Sequence, residues 1–132
     1  MPKARVLIVD DHQLTRAALS GIVRLDPNLQ VVGHSDNGGV ALQAIALFNP
    51  DVVCLDVLMP GMDGLEVLQR VRADHPAIRV VMITAEATAD VRQKATDLGA
   101  HGFVVKPFNG KDVLAAINAA LRADGHSAVA PN

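Results

Sequence analysis

The sequence predicts an α/β fold, a doubly wound sheet of five parallel strands with helices on both faces. Three observations predict it. Short, nearly continuous apolar runs alternate with longer amphipathic stretches along the 132 residues. The runs lack the in–out alternation of a half-solvated strand, as strands covered on both faces should. Each run leads through turn residues into a segment of helical length, which is the rhythm of βα crossover units.

The first run, RVLIVD at 5–10, reads as a buried strand. QLTRAALSGIVRL at 13–25 then sets Leu14, Ala18, Leu19, Ile22 and Val23 at helical spacing. QVVGH at 30–34 is a shorter strand, followed by GGVALQAIALF at 38–48 as a helix. DVVCLD at 51–56 is the third strand. In the helix GLEVLQRVRAD at 64–74, Leu65, Leu68 and Val71 share a face, Asp63 can cap the start, and His75-Pro76 stops it. RVVMIT at 79–84 is the fourth strand, and ADVRQKATDLG at 89–99 is a helix closed by Gly99. GFVVK at 102–106 is the fifth strand. Asn109, with Asp112 three residues on, has the pattern of a cap for the helix at 110–122. One folded domain is expected over 1–123, with the polar DGHSAVAPN at 124–132 as a flexible tail or linker stub.

Composition excludes several classes of function. Net charge is −2 and the twelve Lys and Arg are scattered, which is not the basic footprint of a nucleic-acid binder. Three Phe with no Tyr or Trp offer no stacking platform for bases. The N-terminal apolar run is too short for a signal peptide, and no stretch approaches the roughly 20 apolar residues of a membrane helix. The single cysteine, Cys54, precludes an intrachain disulfide and sits inside a strand, where an inert thiol is expected. Half of the residues are apolar. The expectation is a soluble cytoplasmic domain without direct contact to nucleic acid or membrane. His12, His75 and His101 read as surface or turn residues.

In a parallel sheet every strand's C-terminal end lies on one edge, where open α/β sheets carry their sites. Asp10 and Asp11 follow the first run, Asp56 the third, Thr84 ends the fourth and Lys106 the fifth. Three carboxylates gathered together repel one another unless a cation sits among them. An all-oxygen set suits Mg²⁺, which keeps several waters and accepts a phosphoryl oxygen. Lys106 and Thr84 add a positive charge and a hydroxyl donor. A carboxylate with a metal on one side and donors on the other is placed to attack phosphorus, which makes Asp56 the candidate nucleophile and an aspartyl phosphate its product.

IVDD at the first strand, LDVLMPGMDG at the third, MITA at the fourth and VVKPF at the fifth resemble the receiver domain of bacterial two-component response regulators. The resemblance is chemotaxis-response-regulator-like and runs from about Val6 to Leu121. It implies a flavodoxin-like strand order 2-1-3-4-5. It also implies phosphorylation of Asp56 by a sensor histidine kinase or histidine phosphotransfer protein. Mg²⁺ would then be held by Asp10, Asp11, Asp56 and the backbone carbonyl of Leu58. Thr84 and Lys106 correspond to the residues that contact the phosphoryl group, and Phe103 to an aromatic switch. The implied output is a changed surface on the fourth helix, fifth strand and fifth helix, which controls a downstream protein or an output domain, with a phosphorylation-dependent dimer as one form. On this reading the domain is a regulatory phosphoacceptor, not an enzyme.

Three rival readings fit the residues less well. A Mg²⁺-dependent phosphatase with an aspartate nucleophile would carry that nucleophile on the first strand, whereas here the lone Asp is on the third. A pseudo-receiver that only docks partners would not need the complete polar set. A flavin or nucleotide module of the same fold would need a Gly-, Ser- or Thr-rich loop after the first strand, where DDHQ stands instead.

Overall fold

The computed structural model describes residues 2–122, so the expected tail at 124–132 lies outside the described residues. Strands β1 (Ala4–Val9), β2 (Leu29–Ser35), β3 (Val52–Leu55), β4 (Arg79–Thr84) and β5 (Gly102–Val105) alternate with helices α1 (Gln13–Arg24), α2 (Gly38–Phe48), α3 (Gly64–Asp74), α4 (Ala89–Asp97) and α5 (Gly110–Arg122). The sheet has the order β2-β1-β3-β4-β5 with every pair parallel, the flavodoxin-like order expected.

Strand periodicity explains the layering. Leu7 and Val9 of β1, Val53 and Leu55 of β3, and Val80 and Met82 of β4 point to one face, where they meet Ile45 of α2 and Val67, Leu68 and Val71 of α3. Val6, Ile8, Val52, Cys54, Val81 and Ile83 point to the other, against Leu19 and Val23 of α1 and Val113 and Ile117 of α5. Both faces of each central strand are covered, which is why their sequences are apolar throughout. Burial pushes the Cys54 thiol up to about 12, so it stays a neutral, inert packing group.

Side-chain caps start four helices. Asn37, Asp63, Thr88 and Asn109 each accept from a backbone N–H three residues on, at 2.9, 3.0, 3.2 and 2.8 Å. Gly99 takes φ +93° just past α4, and the Ala100 N–H reaches back to the Ala95 carbonyl at 2.9 Å, a left-handed closure that glycine permits. On α1 the expectation failed in part: Leu14, assigned to the apolar face, is 85 % exposed. Its turn stands beside the strand ends, where no sheet remains to cover it.

His101 also departs from the expectation of a surface residue. It precedes β5 and is 3 % exposed, its Nδ1 accepting from the Val80 N–H at 3.1 Å while its backbone N–H donates to the Val80 carbonyl at 2.8 Å. The imidazole stands in for a ladder acceptor beside β4, and its Nε2 is buried without a hydrogen bond. Burial, reinforced by the positive charges of Arg72 and Arg79, lowers its pKa from 6.5 to about 4. A folded pKa below the unfolded one means that the unfolded chain binds more protons between those values, so stability is complete above pH 6.5 and falls as pH drops toward 4. Urea denaturation should show a loss of about 2–3 kcal/mol over that interval from this group. His101→Asn, which keeps an acceptor but cannot titrate, should flatten the dependence; an unchanged slope would contradict the assignment.

Candidate functional site

Four of the site residues stand at the first position past a strand or at its last. Asp10, Asp56 and Lys106 follow β1, β3 and β5, and their backbone N–H groups extend the ladder to Ser35, Val9 and Thr84 carbonyls at 3.1, 3.0 and 3.0 Å. Each is therefore held as rigidly as a strand residue while its side chain reaches the C-terminal rim. Asp10, Asp56 and Thr84 are 1 %, 3 % and 0 % exposed. Gly64 fixes Asp56 from behind: a Cβ there would lie 1.9 Å from the Asp56 carbonyl oxygen, so only glycine lets α3 start against that peptide.

Lys106 ties the rim together. Its ammonium donates to Asp10 Oδ2 at 2.7 Å and to Asp56 Oδ2 at 3.0 Å, spanning the ends of β1, β3 and β5. Burial opposes the ammonium form, but the hydrogen bonds and charges of Asp10 and Asp56 outweigh it and hold the Lys106 pKa above 10.5. The remaining oxygens are partly used. Asp10 Oδ1 accepts from the His12 N–H at 2.9 Å, and Asp56 Oδ1 accepts from the Leu58 N–H at 3.3 Å.

Asp11 supplies the feature that calls for a cation. Its Oδ1 is buried without a hydrogen-bond donor; His12 Nδ1 lies 3.0 Å away but makes no hydrogen bond to it. Carboxylate oxygens of Asp10, Asp11 and Asp56, with the His12 imidazole, all come within 4.8 Å of one another. Three carboxylates around an undonated oxygen fit a hard divalent ion such as Mg²⁺, and Asp10, Asp11 and Asp56 could hold one. His12, read from sequence as a surface group, joins this cluster; only its position next to the acid pair could have signalled it.

A cavity of about 280 Å³ opens above Asp56, lined also by His12, Thr15, Leu58, Thr84, Ala85 and Lys106. The Thr84 hydroxyl accepts from the Glu86 N–H at 3.0 Å, which leaves its own proton free to be donated. Phe103 does not line this cavity. It sits one strand over, paired with Met82 in the β4–β5 register and packed in the layer that holds α3 and α4. The structure thus brings Asp10, Asp11, Asp56, Leu58, Thr84 and Lys106 to one rim, with Phe103 beside it.

The sequence model of the response regulator receiver domain matches residues 6–118. A chemotaxis protein CheY from Listeria monocytogenes is 37 % identical over 118 residues, which cover 89 % of this chain and 98 % of that protein. A protein-glutamate methylesterase/protein-glutamine glutaminase from Dechloromonas aromatica is 46 % identical over 107 residues, but those residues cover 80 % of this chain and only 30 % of the methylesterase's length. Among solved structures, the signal receiver domain of the response regulator NarL from Mycobacterium tuberculosis superposes with a TM-score of 0.88 at 34 % identity, covering 93 % of this chain and 99 % of that one.

Without a cation the pocket sets three carboxylates against one ammonium. Asp11→Asn should therefore raise stability in EDTA, by about 1 kcal/mol in urea denaturation, by removing like-charge repulsion. Wild type should gain about 1.4 kcal/mol from Mg²⁺ at tenfold excess over its Kd, and the variant should gain little. An Asp11→Asn protein that is weaker in EDTA, or equally stabilised by Mg²⁺, would contradict this reading of the pocket.

Proposed function

The chain belongs to the response regulator receiver domain family, and from that premise we propose that it is a phosphoacceptor switch with Asp56 as the acceptor. One observation carries the proposal: Asp56 is a buried carboxylate at the end of the central strand, held 3.0 Å from the Lys106 ammonium and facing a cavity large enough for a phosphoryl group.

The donor is the phosphohistidine of a sensor histidine kinase or a histidine phosphotransfer protein. An Asp56 carboxylate oxygen attacks phosphorus; the new O–P bond forms as the P–N bond breaks, and its electron pair returns to the imidazole nitrogen, which takes up a proton. Mg²⁺ bound by Asp10, Asp11, Asp56 and the Leu58 carbonyl would supply the positive charge that offsets charge building on the transferring group. Lys106 exchanges part of its contact with Asp56 for a phosphoryl oxygen, so its charge stays paired throughout. Thr84 turns its free hydroxyl proton to another phosphoryl oxygen.

Signalling follows from the movement of Thr84. Phe103 and Val105 pair with Met82 and Thr84 in the sheet register, so all four side chains stand on the α4 face. Space vacated by Thr84 is adjacent to the Phe103 ring, and an inward turn of that ring would change the α4–β5–α5 surface that a downstream protein or output domain reads. The domain spans 1–123 on this reading, with 124–132 as tail or linker.

Intact mass after incubation with acetyl phosphate tests the proposal. Wild type should gain one phosphoryl group only when Mg²⁺ is present, and Asp56→Asn should gain none. A wild-type protein that stays unlabelled where another receiver is labelled would replace the switch with a docking-only pseudo-receiver.

A further inference from the structure

The switch residue is a phenylalanine, so it has no hydroxyl with which to hold either of its two positions. What the ring offers instead is its face. On that face lies Arg92 of α4, its guanidinium carbon 4.7 Å from the Phe103 ring centroid, within cation–π range. Among the described residues Arg92 makes no ion pair, since the neighbouring acid Asp90 is taken by Lys94 at 3.9 Å. The full positive charge of the guanidinium is therefore available to the ring. Arg92 is also well anchored at its backbone: its N–H donates to the Thr88 carbonyl at 3.0 Å, and its own carbonyl accepts from the Thr96 hydroxyl at 2.9 Å.

The geometry gives this contact a direction. Phe103 is half-buried, with its body packed against the core layer and one face under Arg92 at the surface. A ring that turned inward, toward the space beside Thr84, would leave the guanidinium behind, because Arg92 rises from the exposed side of α4. In this structure the contact is made with the ring at the surface side of the layer.

We propose that Arg92 is a positioning residue that latches Phe103 in its outward, unphosphorylated position, so that phosphorylation must break this contact before the α4–β5–α5 surface changes. The latch rests on the phosphoacceptor reading above and deepens it. A contact made in one state and lost in the other biases their equilibrium by its own free energy. An exposed cation–π contact corresponds to about a two- to fivefold shift in that equilibrium.

The test uses the full chain labelled with 4-fluorophenylalanine, the Phe103 resonance being assigned with Phe103→Leu, and beryllium fluoride with Mg²⁺ as the phosphoryl mimic. Arg92→Met keeps the length of the stem and removes the charge; Arg92→Lys restores a charge. The unliganded Arg92→Met protein should show its Phe103 fluorine signal moved toward the wild-type beryllium-fluoride position. Its half-saturating concentration of the mimic should fall about two- to fivefold. Arg92→Lys should lie between the two proteins on both measures, which a merely structural role would not produce. An Arg92→Met signal at the wild-type position, or an unchanged half-saturation, overturns the latch while leaving phosphorylation intact. A wild-type protein that takes up no beryllium fluoride overturns the phosphoacceptor reading itself, and the latch with it.

Discussion

The structure turns on one ammonium held between two buried carboxylates. Lys106 links Asp10 and Asp56 at 2.7 and 3.0 Å, and in doing so it binds together the ends of the first, third and fifth strands in chain order. An isolated carboxylate at 1–3 % exposure would cost several kcal/mol or take up a proton. Lys106 gives both carboxylates a charged hydrogen-bond donor, and the same pairing keeps the lysine charged despite its burial. The arrangement is still short of positive charge by design, because Asp11 adds a third carboxylate with an undonated oxygen. Such a cluster could hold a cation, and in the proposed reaction the lysine that bridges two acids releases part of its contact with one of them to a phosphoryl oxygen.

Much of this was legible in the sequence because period and punctuation agreed. The continuous apolar runs RVLIV, VVCL and RVVMI could bury both faces only in a covered parallel sheet, and the sheet then collected Asp10, Asp56, Thr84 and Lys106 on one rim without further information. Asp63, Asn109 and Gly99 were readable at helix ends because their roles are local, set by hydrogen bonds within a few residues.

What escaped the sequence depends on contacts between distant segments. Leu14 fits the apolar stripe of the first helix by spacing, yet its turn has no sheet beneath it and it is 85 % exposed. His101 looked like a turn residue, but a polar side chain can replace a backbone acceptor, and nothing in its neighbours announces that the Val80 N–H needs one. Gly64 reads as an ordinary first residue of a helix; that the Asp56 carbonyl presses on it appears only once α3 docks. Arg92 and Phe103 lie on different elements, so their ring contact has no signature along the chain.

As proposed, the phosphoryl group goes to the carboxylate held by Lys106 at the end of the third strand, and not to either member of the Asp10-Asp11 pair. Borohydride reduction distinguishes these acids, because it converts an aspartyl phosphate to homoserine at the acceptor position. After Mg²⁺ and acetyl phosphate treatment, peptide mass spectrometry should find homoserine at position 56 alone. Homoserine at position 10 or 11, or at none of the three, would remove Asp56 as the acceptor.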